Sequence, residues 1–402
     1  MKRILYAWEL GGGLGHINAF LPIARALEER GCVITWVLRE PGPAAVLLEG
    51  RGDTLWDAPY FTGQIVGLPE PQLSFSEILL RRGYMSADML TPLLRDWRAI
   101  VERAEPDLVI ADFAPTALLA ARSLKRTCVR IGTGFCCPPP MEPEPPLMPW
   151  LLPAPERSAE SRQLVLSSIN TALAVHGVAP LAVQGLMHLA DDDIVTSFPD
   201  LDHYTHRGTP HWGVVLGGDS GVAPVWPEAQ GPRVFAYLKA QQAQTLPLLH
   251  ALRRRGCAVL AYCPGLPDTE RAQLEGAQMR FSDRPVAIEA AVAGADLVIC
   301  GGGHGTVCAA LLGGKPLLVA PDITEQGITA HKVTALGAGL MLLAGEEGRI
   351  EQLSARLLSE PGFTRAAQEF SRRHTSASQK QIVDAIAARC VQLAGWPTRA
   401  AI

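Results

Sequence analysis

Two side chains in the first third of the sequence have the types and positions needed for proton transfer. His16 follows the glycine-rich segment Gly11-Gly-Gly-Leu-Gly15, after an apolar run at residues 3–8 that predicts a buried strand. Asp112 follows a second predicted strand at residues 107–111. The carboxyl ends of parallel strands form the ligand-binding edge of an open α/β sheet, so both side chains are expected at one edge. An imidazole with a pKa of about 6.5 can accept a proton at neutral pH, and a neighbouring carboxylate would orient it and stabilise its charged form.

A glycine-rich turn in the second half of the chain has the composition of a phosphate site. It lies between a predicted strand, residues 295–300, and a predicted helix, residues 307–312. Glycines let the backbone approach an anion, and the free N–H groups and the dipole of the helix favour negative charge there. The candidate phosphate ligands are Gly301, Gly302, Gly303, His304, Gly305 and Thr306. Glu325 and Gln326 follow on another turn and can grip hydroxyl groups, so the two segments together indicate a sugar nucleotide.

Composition excludes several classes of protein. The chain has 402 residues, of which 48% are hydrophobic and 19% charged, as in packed globular proteins of about two domains. The net charge is −4, and basic residues do not interleave with aromatic ones, so nucleic acid is not an expected partner. No apolar run is long enough to span a bilayer, and no signal peptide is recognisable, which predicts a cytoplasmic protein. The nine cysteines have no regular spacing and are expected to be reduced.

The order of predicted elements indicates an α/β chain with two domains in series. Strand, glycine-rich segment, helix and strand follow one another up to residue 38, and a similar series begins at residue 234. We expect an N-terminal domain at residues 1–212, a linker at 213–232 and a C-terminal domain at 233–375. Residues 376–402 are expected to form a terminal helix that could pack back on the N-terminal domain.

Three segments carry more specific expectations. Pro22 lies within the first predicted helix, which should therefore begin late or kink at this residue. Residues 136–155 contain many prolines, which cannot donate to a sheet ladder, and are predicted to form a loop. Residues 181–189 have a helical pattern and predict a helix.

The residues around the two candidate sites resemble those of family-1, or UDP-glycosyltransferase-like, enzymes of the bacterial natural-product type. In the first half the similarity is carried by Gly15-His-Ile-Asn18 and by Pro106-Asp-Leu-Val-Ile-Ala-Asp112. In the second half it is carried by Gly302-Gly-His-Gly-Thr306, Pro321 and Glu325-Gln326. The resemblance implies the GT-B fold, in which two Rossmann-like domains face each other across a central cleft.

The same resemblance implies a reaction. A sugar would pass from a UDP- or dTDP-sugar, which serves as co-substrate without any cofactor or metal, to a hydroxyl group of a small acceptor. His16 would be the base and Asp112 its partner. Gly301 to Thr306 would bind the diphosphate and Glu325 with Gln326 the sugar. Transfer would proceed in one displacement with inversion at the anomeric carbon.

Some positions depart from the pattern of the relatives. The His that commonly precedes the Gly-Gly pair and contacts the diphosphate is replaced by Gly301. Lys239 lies where a Gly-Ser turn is usual and could either supply the lost contact or be a surface lysine. Arg284 lies in the region of the plant-type Trp that stacks on uracil, so the nucleotide base is left open. Gly13 and Gly15, in the turn before His16, are additional candidates for the site.

Two other functions are compatible with these residues. One is a sugar-nucleotide epimerase on the same fold, although the pairing of His16 with Asp112 favours transfer to an acceptor. The other is a non-catalytic protein that binds a nucleotide sugar, which the changes at Gly301 and Lys239 keep open.

The acceptor is expected to be a small hydrophobic molecule, because the loops at residues 55–95 and 136–155 are rich in apolar side chains. These side chains are Trp56, Tyr60, Phe61, Leu68, Phe75, Leu147, Met148 and Trp150. They could instead pack within their own domain. Two further groups, His203 with His206 and His211, and Asp191-Asp-Asp193, lack the spacing of metal ligands, so no metal is predicted.

Overall fold

The protein is described from a computed structural model that covers residues 1–49, 51, 54–151, 154–188, 190–204, 207–217 and 221–395. The chain divides into two compact units. The N-terminal unit is Met1–Val215 together with the C-terminal segment that begins at Gln379, and the C-terminal unit is Leu216–Ser378. No helix in the described ranges is both long enough and apolar enough to cross a membrane.

The N-terminal unit is built on a six-stranded parallel sheet. Its strands are β1 (Lys2–Trp8), β2 (Cys32–Leu38), β3 (Thr54–Asp57), β4 (Leu108–Asp112), β5 (Cys128–Gly132) and β6 (Asp192–Val195). They lie side by side in the order β3-β2-β1-β4-β5-β6, which is the Rossmann order. The direction of strand order reverses between β1 and β4, so this is the point where a ligand crevice is expected.

Helices connect these strands. They are α1 (Gly15–Glu28), α2 (Pro41–Leu48), α3 (Phe75–Leu79), α4 (Ala87–Ala104), α5 (Pro115–Ser123), α6 (Pro155–Val175) and, at the end of the chain, α14 (Gln379–Ala394). Helix α1 begins at Gly15 and includes Pro22, so of the two effects expected of this proline, a late start or a kink, the late start is wrong. A proline is compatible with the second turn of α1 because the loss of one hydrogen bond is offset by the buried face of the helix, which includes Ile17, Phe20 and Leu27.

Helix α14 packs on the same hydrophobic core as α1. Ile382, Ile386 and Cys390 are buried there, among side chains of β1 and β2. The helix is also held by polar contacts: Gln379 Nε2 donates to the carbonyl of Val214 at 3.1 Å. Burying side chains of this size contributes about 1.5–3 kcal/mol each, which explains why the end of the chain belongs to the N-terminal unit.

The C-terminal unit repeats the architecture. Its parallel strands are β7 (Arg233–Tyr237), β8 (Ala258–Tyr262), β9 (Met279–Phe281), β10 (Leu297–Cys300), β11 (Leu317–Val319) and β12 (Gly339–Met341). Their spatial order is β12-β11-β10-β7-β8-β9, again the Rossmann order, with the reversal between β7 and β10. The helices are α7 (Thr245–Arg254), α8 (Asp268–Leu274), α9 (Ile288–Gly294), α10 (His304–Leu312), α11 (Thr324–Ala335), α12 (Ile350–Ser359) and α13 (Pro361–His374). The two sheets confirm the predicted fold class.

Two local predictions differ from the structure. Residues 181–189 were expected to form a helix, but only a short 3-10 turn, Gln184–His188, is present in the described part of this segment. The side chain of Asn170 binds both the N–H and the carbonyl of Leu181, at 2.8 and 3.0 Å, and so engages the carbonyl that would accept the first hydrogen bond of a helix beginning there. The loop predicted at residues 136–155 is confirmed, since its described residues up to Ala154 contain no strand or helix.

Candidate active site

The first candidate pair is positioned by two neighbouring strands. Trp8, at the end of β1, is paired in register with Asp112, at the end of β4. After β1 the chain turns through Gly11, whose φ of +84° is a left-handed conformation that favours glycine. Leu10 N–H donates to the carbonyl of Phe113 at 2.9 Å and ties the two loops together. Helix α1 then begins and brings His16 back over the end of β4.

His16 and Asp112 form a direct hydrogen bond. The distance from His16 Nδ1 to Asp112 Oδ1 is 2.8 Å. The Asp112 side chain is 6% exposed and that of His16 is 18% exposed, so the carboxylate is fixed inside the protein while the ring reaches the surface. When Nδ1 donates its proton to Asp112, Nε2 is left with a lone pair that can accept a proton. The arrangement is suited to a general base held in one tautomer.

Aromatic rings and a glycine surround the imidazole. The ring of His16 stacks on Trp8, with centroids 5.2 Å apart, and its other neighbour is Phe113 at 6.4 Å. A Cβ atom on Gly11 would lie 2.8 Å from Nε2. Any side chain at position 11 would therefore crowd Nε2, and glycine leaves room for the ring. Gly13 and Gly15, also proposed from the sequence, have open space around them.

A cysteine lies beside the pair. Cys136, His16 and Asp112 each offer one ligand atom, and these atoms lie within 4.8 Å of one another. Thiolate sulfur, imidazole nitrogen and carboxylate oxygen are the three ligand types of zinc sites. This set of described residues therefore has the ligand types for a divalent ion.

An aromatic cluster extends from the pair into the N-terminal unit. Phe113 is 6.1 Å from Phe75 and 5.6 Å from Phe135 between ring centroids, and Phe75 is 5.1 Å from His188. Burial lowers the pKa of His188 well below its usual value, so this ring is neutral at pH 7. The cluster gives the surroundings of the base an apolar character.

The other residues proposed for the acceptor are placed differently. Trp56 lies under the guanidinium of Arg103 at 4.5 Å, and Tyr60 lies under that of Arg39 at 4.4 Å. Leu147 is fully buried in the core. Of the apolar side chains singled out in the sequence, Phe75 is the one that the ring contacts connect to His16 through Phe113.

The glycine turn of the C-terminal unit leads directly into a helix. Helix α10 begins at His304 rather than at Val307, so that its first N–H groups lie at the turn itself. Gly302 has a φ of +93°, and a Cβ atom there would lie 3.0 Å from Val319 Cγ1 and 3.1 Å from Gln326 Cβ. Backbone conformation and packing both require glycine at this position. Such a turn can bind an anion through backbone N–H groups.

The two segments proposed for the donor are adjacent. Gln326 lies in the first turn of α11, against Gly302, and Glu325 precedes it. Gln326 Oε1 accepts a hydrogen bond from the backbone N–H of Asp322 at 2.9 Å, which braces the turn after β11. Both side chains are half-buried. The structure therefore brings Gln326 next to the glycine turn.

Gln242 is a residue of this region that the sequence did not single out. It is buried in the loop after β7, and its Nε2 lies 3.3 Å from the carbonyl of Ala320. A Cβ atom on Gly301 would lie 3.0 Å from the same nitrogen. Gln242 thus fills the space that a side chain at position 301 would occupy. The sequence shows that Gln242 follows a predicted strand. It does not show that this strand, β7, lies next to β10, and that neighbourhood is what brings Gln242 to Gly301.

The two remaining candidates for the donor site lie at the surface. Lys239 is exposed at the start of the same loop, and its carbonyl accepts a hydrogen bond from Thr245 Oγ1 at 2.7 Å. Arg284 is exposed, and its carbonyl accepts a hydrogen bond from Ser282 Oγ at 2.6 Å. Of the residues considered for a metal, His211 has its Nε2 at 2.8 Å from Asp202 Oδ2 and Asp193 pairs with Arg130, whereas His206 lies outside the described residues.

Two Rossmann-type units on one chain define the GT-B class of α/β proteins, and here one unit carries a His–Asp pair and the other a glycine turn at a helix N-terminus. Comparisons with known proteins agree with this class. Residues 266–389, which include the glycine turn and Gln326, match the glycosyltransferase family 28 C-terminal domain.

Relatives of known activity match nearly the whole chain. The elloramycin glycosyltransferase ElmGT of Streptomyces olivaceus is 25% identical over an alignment of 384 residues that covers 89% of this chain and 89% of the relative. The crystal structure of the glycosyltransferase VinC in complex with dTDP is similar with a TM-score of 0.70 at 17% identity, covering 98% of this chain and 99% of that chain. The glycosyltransferase SnogD from Streptomyces nogalater has a TM-score of 0.65 at 20% identity, with the same coverage. This chain has the GT-B fold and resembles the bacterial natural-product glycosyltransferases.

Proposed function

We propose that this protein is an inverting glycosyltransferase that moves a sugar from a nucleoside-diphosphate sugar to a hydroxyl group of a small apolar acceptor. The observation that carries the proposal is the hydrogen bond between His16 Nδ1 and Asp112 Oδ1 at 2.8 Å. A pair of this kind, with one ring nitrogen turned to a buried carboxylate, is what a base for an acceptor hydroxyl requires.

The reaction follows from the two sites. His16 Nε2 accepts the proton of the acceptor hydroxyl group while the oxygen of that hydroxyl group forms a bond to the anomeric carbon. The bond from that carbon to the diphosphate oxygen breaks, and the electron pair leaves with the diphosphate. Attack occurs on the face opposite the leaving group, so the configuration inverts. Asp112 stabilises the imidazolium that forms.

The donor is proposed to be a dTDP- or UDP-sugar, held by Gly301 to Thr306 with the sugar near Glu325 and Gln326. The N-terminus of α10 favours the negative charge of the diphosphate, and no metal is needed for that purpose. VinC and the rhamnosyltransferase SpnG have both been solved with thymidine diphosphate, which makes dTDP-sugars the first donors to examine.

The acceptor is proposed to be a polyketide-like or phenolic molecule. The aromatic cluster of Phe75, Phe113 and Phe135 beside His16 suits an apolar ring system. SpnG has been solved with the spinosyn aglycone, and ElmGT is an elloramycin glycosyltransferase, which supports a small aglycone as the acceptor.

The proposal is tested by incubating the purified protein with dTDP- and UDP-sugars and a panel of polyketide and phenolic aglycones. Mass spectrometry should show a sugar added to a second molecule, and NMR of the product should show an inverted anomeric configuration. An epimerised donor without transfer would support the epimerase instead. Binding of dTDP in a thermal-shift assay without any turnover would support a non-catalytic protein.

A further inference from the structure

We propose that Tyr6 is a positioning residue, which holds the Asp112 carboxylate in the orientation that presents it to His16. The inference rests on the proposed function for its effect on transfer, but its effect on the His16 ring can be measured without any substrate. Tyr6 Oη donates to Asp112 Oδ2 at 2.7 Å, while the other oxygen, Oδ1, binds His16 Nδ1 at 2.8 Å. The two oxygens of one carboxylate are thus divided between two partners.

The direction of the Tyr6 hydrogen bond is fixed by its surroundings. The side chain is fully buried, and burial together with the charge of Asp112 raises the pKa of Tyr6 well above its usual value. The phenol therefore keeps its proton and donates it to the carboxylate. A carboxylate held at one oxygen only could rotate about its Cβ–Cγ bond. With Oδ2 engaged, Oδ1 stays directed at His16.

Tyr6 also connects the carboxylate to the helix that carries the base. Its ring stacks on Phe20 of α1 with centroids 4.0 Å apart and an interplanar angle of 12°. Phe20 lies one helical turn after His16, which stacks on Trp8. Tyr6 and Trp8 are two residues apart on β1 and so lie on the same face of the sheet. Two aromatic pairs therefore align α1 with β1.

The strand register explains how Tyr6 reaches Asp112. Asp112 is paired with Trp8, and Tyr6 is paired with Ile110, so the phenol extends diagonally across from β1 to the end of β4. A shorter residue at position 6 could fill part of the core but could not make this contact. The hydroxyl group is needed for the hydrogen bond, whereas the ring alone is enough for packing.

The test uses Tyr6→Phe, which keeps the ring and the stacking on Phe20 and removes only the hydroxyl group. Tyr84→Phe is the matched control, because Tyr84 is equally buried and its hydroxyl contacts Thr116 Oγ1 at 2.8 Å. Both variants lose one buried hydrogen bond, so both should show a similar fall in melting temperature. Only Tyr6→Phe should affect His16.

The positioning role of Tyr6 is tested by the ¹⁵N spectrum of the His16 ring and by the kinetics of transfer. With ring-¹⁵N-labelled histidine, and His16 assigned through His16→Ala, the wild-type spectrum should show His16 protonated at Nδ1, and Tyr6→Phe should shift it toward a mixture of tautomers. In transfer assays kcat should fall on the order of 10-fold with KM for the donor unchanged. Tyr84→Phe should match the wild type in both. A His16 spectrum and kcat in Tyr6→Phe equal to those of the wild type would overturn the proposal.

The spectrum of His16 and the transfer assay distinguish a failure of the positioning role from a failure of the proposed reaction. If no acceptor is ever glycosylated but Tyr6→Phe changes the His16 spectrum, the proposed reaction fails and the positioning role stands. If Tyr6→Phe does not fold, the contact can be tested in the wild-type protein. The hydroxyl proton of Tyr6 should exchange slowly and show an NOE to the His16 Nδ1 proton. Its absence in a protein with an intact His16 Nδ1 signal would contradict the inference.

Discussion

His16 Nδ1 lies 2.8 Å from Asp112 Oδ1, although 96 residues separate them in the sequence. The contact exists because β1 and β4 are neighbours at the point where the strand order of the N-terminal sheet reverses. Helix α1 starts immediately after the turn that follows β1, and so His16 returns to the end of β4. The pair combines a buried carboxylate with a partly exposed ring.

Gly11→Ala should impair the base, and Gly13→Ala should not. Both glycines have positive φ, +84° and +77°, so each substitution should cost about 1–2 kcal/mol of stability. Only at Gly11 would the new Cβ lie 2.8 Å from His16 Nε2, whereas at Gly13 it meets nothing within 4 Å. The kcat of Gly11→Ala should fall on the order of 10²-fold because the ring is displaced. Equal kcat values for the two variants would contradict this role of Gly11.

Gly302→Ala should weaken nucleotide binding. The residue has a φ of +93°, and the new Cβ would crowd Val319 and Gln326, which shifts the phosphate turn. Gly345→Ala is the control, because its φ of +86° imposes similar strain while its Cβ would meet nothing within 4 Å. The rise in melting temperature on adding dTDP should be lost in Gly302→Ala and kept in Gly345→Ala. Wild-type stabilisation of both variants would argue against a donor site at this turn.

Zinc should inhibit transfer through Cys136, and the proposed mechanism predicts that transfer does not require a metal. Cys136, His16 and Asp112 present a sulfur, a nitrogen and an oxygen within 4.8 Å of one another. Enzyme treated with EDTA should keep its full rate, and added Zn²⁺ should lower it. Cys136→Ala should need a higher Zn²⁺ concentration for half inhibition, whereas the neighbouring variant Cys137→Ala should behave as the wild type. Loss of activity with EDTA would show that the metal-free mechanism is wrong.

Glu9 should make the stability of the protein depend on pH. Burial raises its pKa from 4.5 to about 7, although hydrogen bonds from Thr116 act in the opposite direction. The folded state then binds the proton more tightly than the unfolded state, so the free energy of unfolding falls as pH rises from about 4.5 to about 7. Between pH 5 and pH 8 this loss should amount to about 2–3 kcal/mol.

Denaturant unfolding of Glu9→Gln at the two pH values tests this expectation. The glutamine does not ionise, so the difference in unfolding free energy between pH 5 and pH 8 should shrink by that amount. Part of the dependence should remain because burial also raises the pKa of Glu144 to about 7. The exposed Glu29→Gln variant should show the wild-type difference. A Glu9→Gln variant with the wild-type difference would contradict the assignment.

The sequence predicts the positions of candidate site residues that directly follow a strand. His16 and Asp112 could be placed at one edge because each follows an apolar run of strand length, and the glycine turn could be placed at a helix N-terminus. Their separation could not be predicted, since it depends on which strands are neighbours. The same limit applies to Gln242, which meets Gly301 only because β7 adjoins β10.

Tyr6 shows a second limit. In the sequence it is one more aromatic residue in a buried strand, and its type is explained by packing alone. Its hydroxyl becomes meaningful only through the register of β1 with β4, which sets it diagonally from Asp112. The helix predicted at residues 181–189 was also wrong because of a contact that the sequence does not show. The side chain of Asn170, eleven residues away, binds the backbone N–H and carbonyl of Leu181.

The central claim is that His16 is the base for transfer from a nucleotide sugar. It is tested most directly by comparing the wild type and His16→Ala in the rate of glycoside formation from a dTDP-sugar and an aglycone that the wild type accepts, alongside thermal stabilisation by dTDP. We expect the variant to lose at least about 10²-fold in kcat while its stabilisation by dTDP stays unchanged. A His16→Ala protein that forms glycoside at the wild-type rate would contradict the claim.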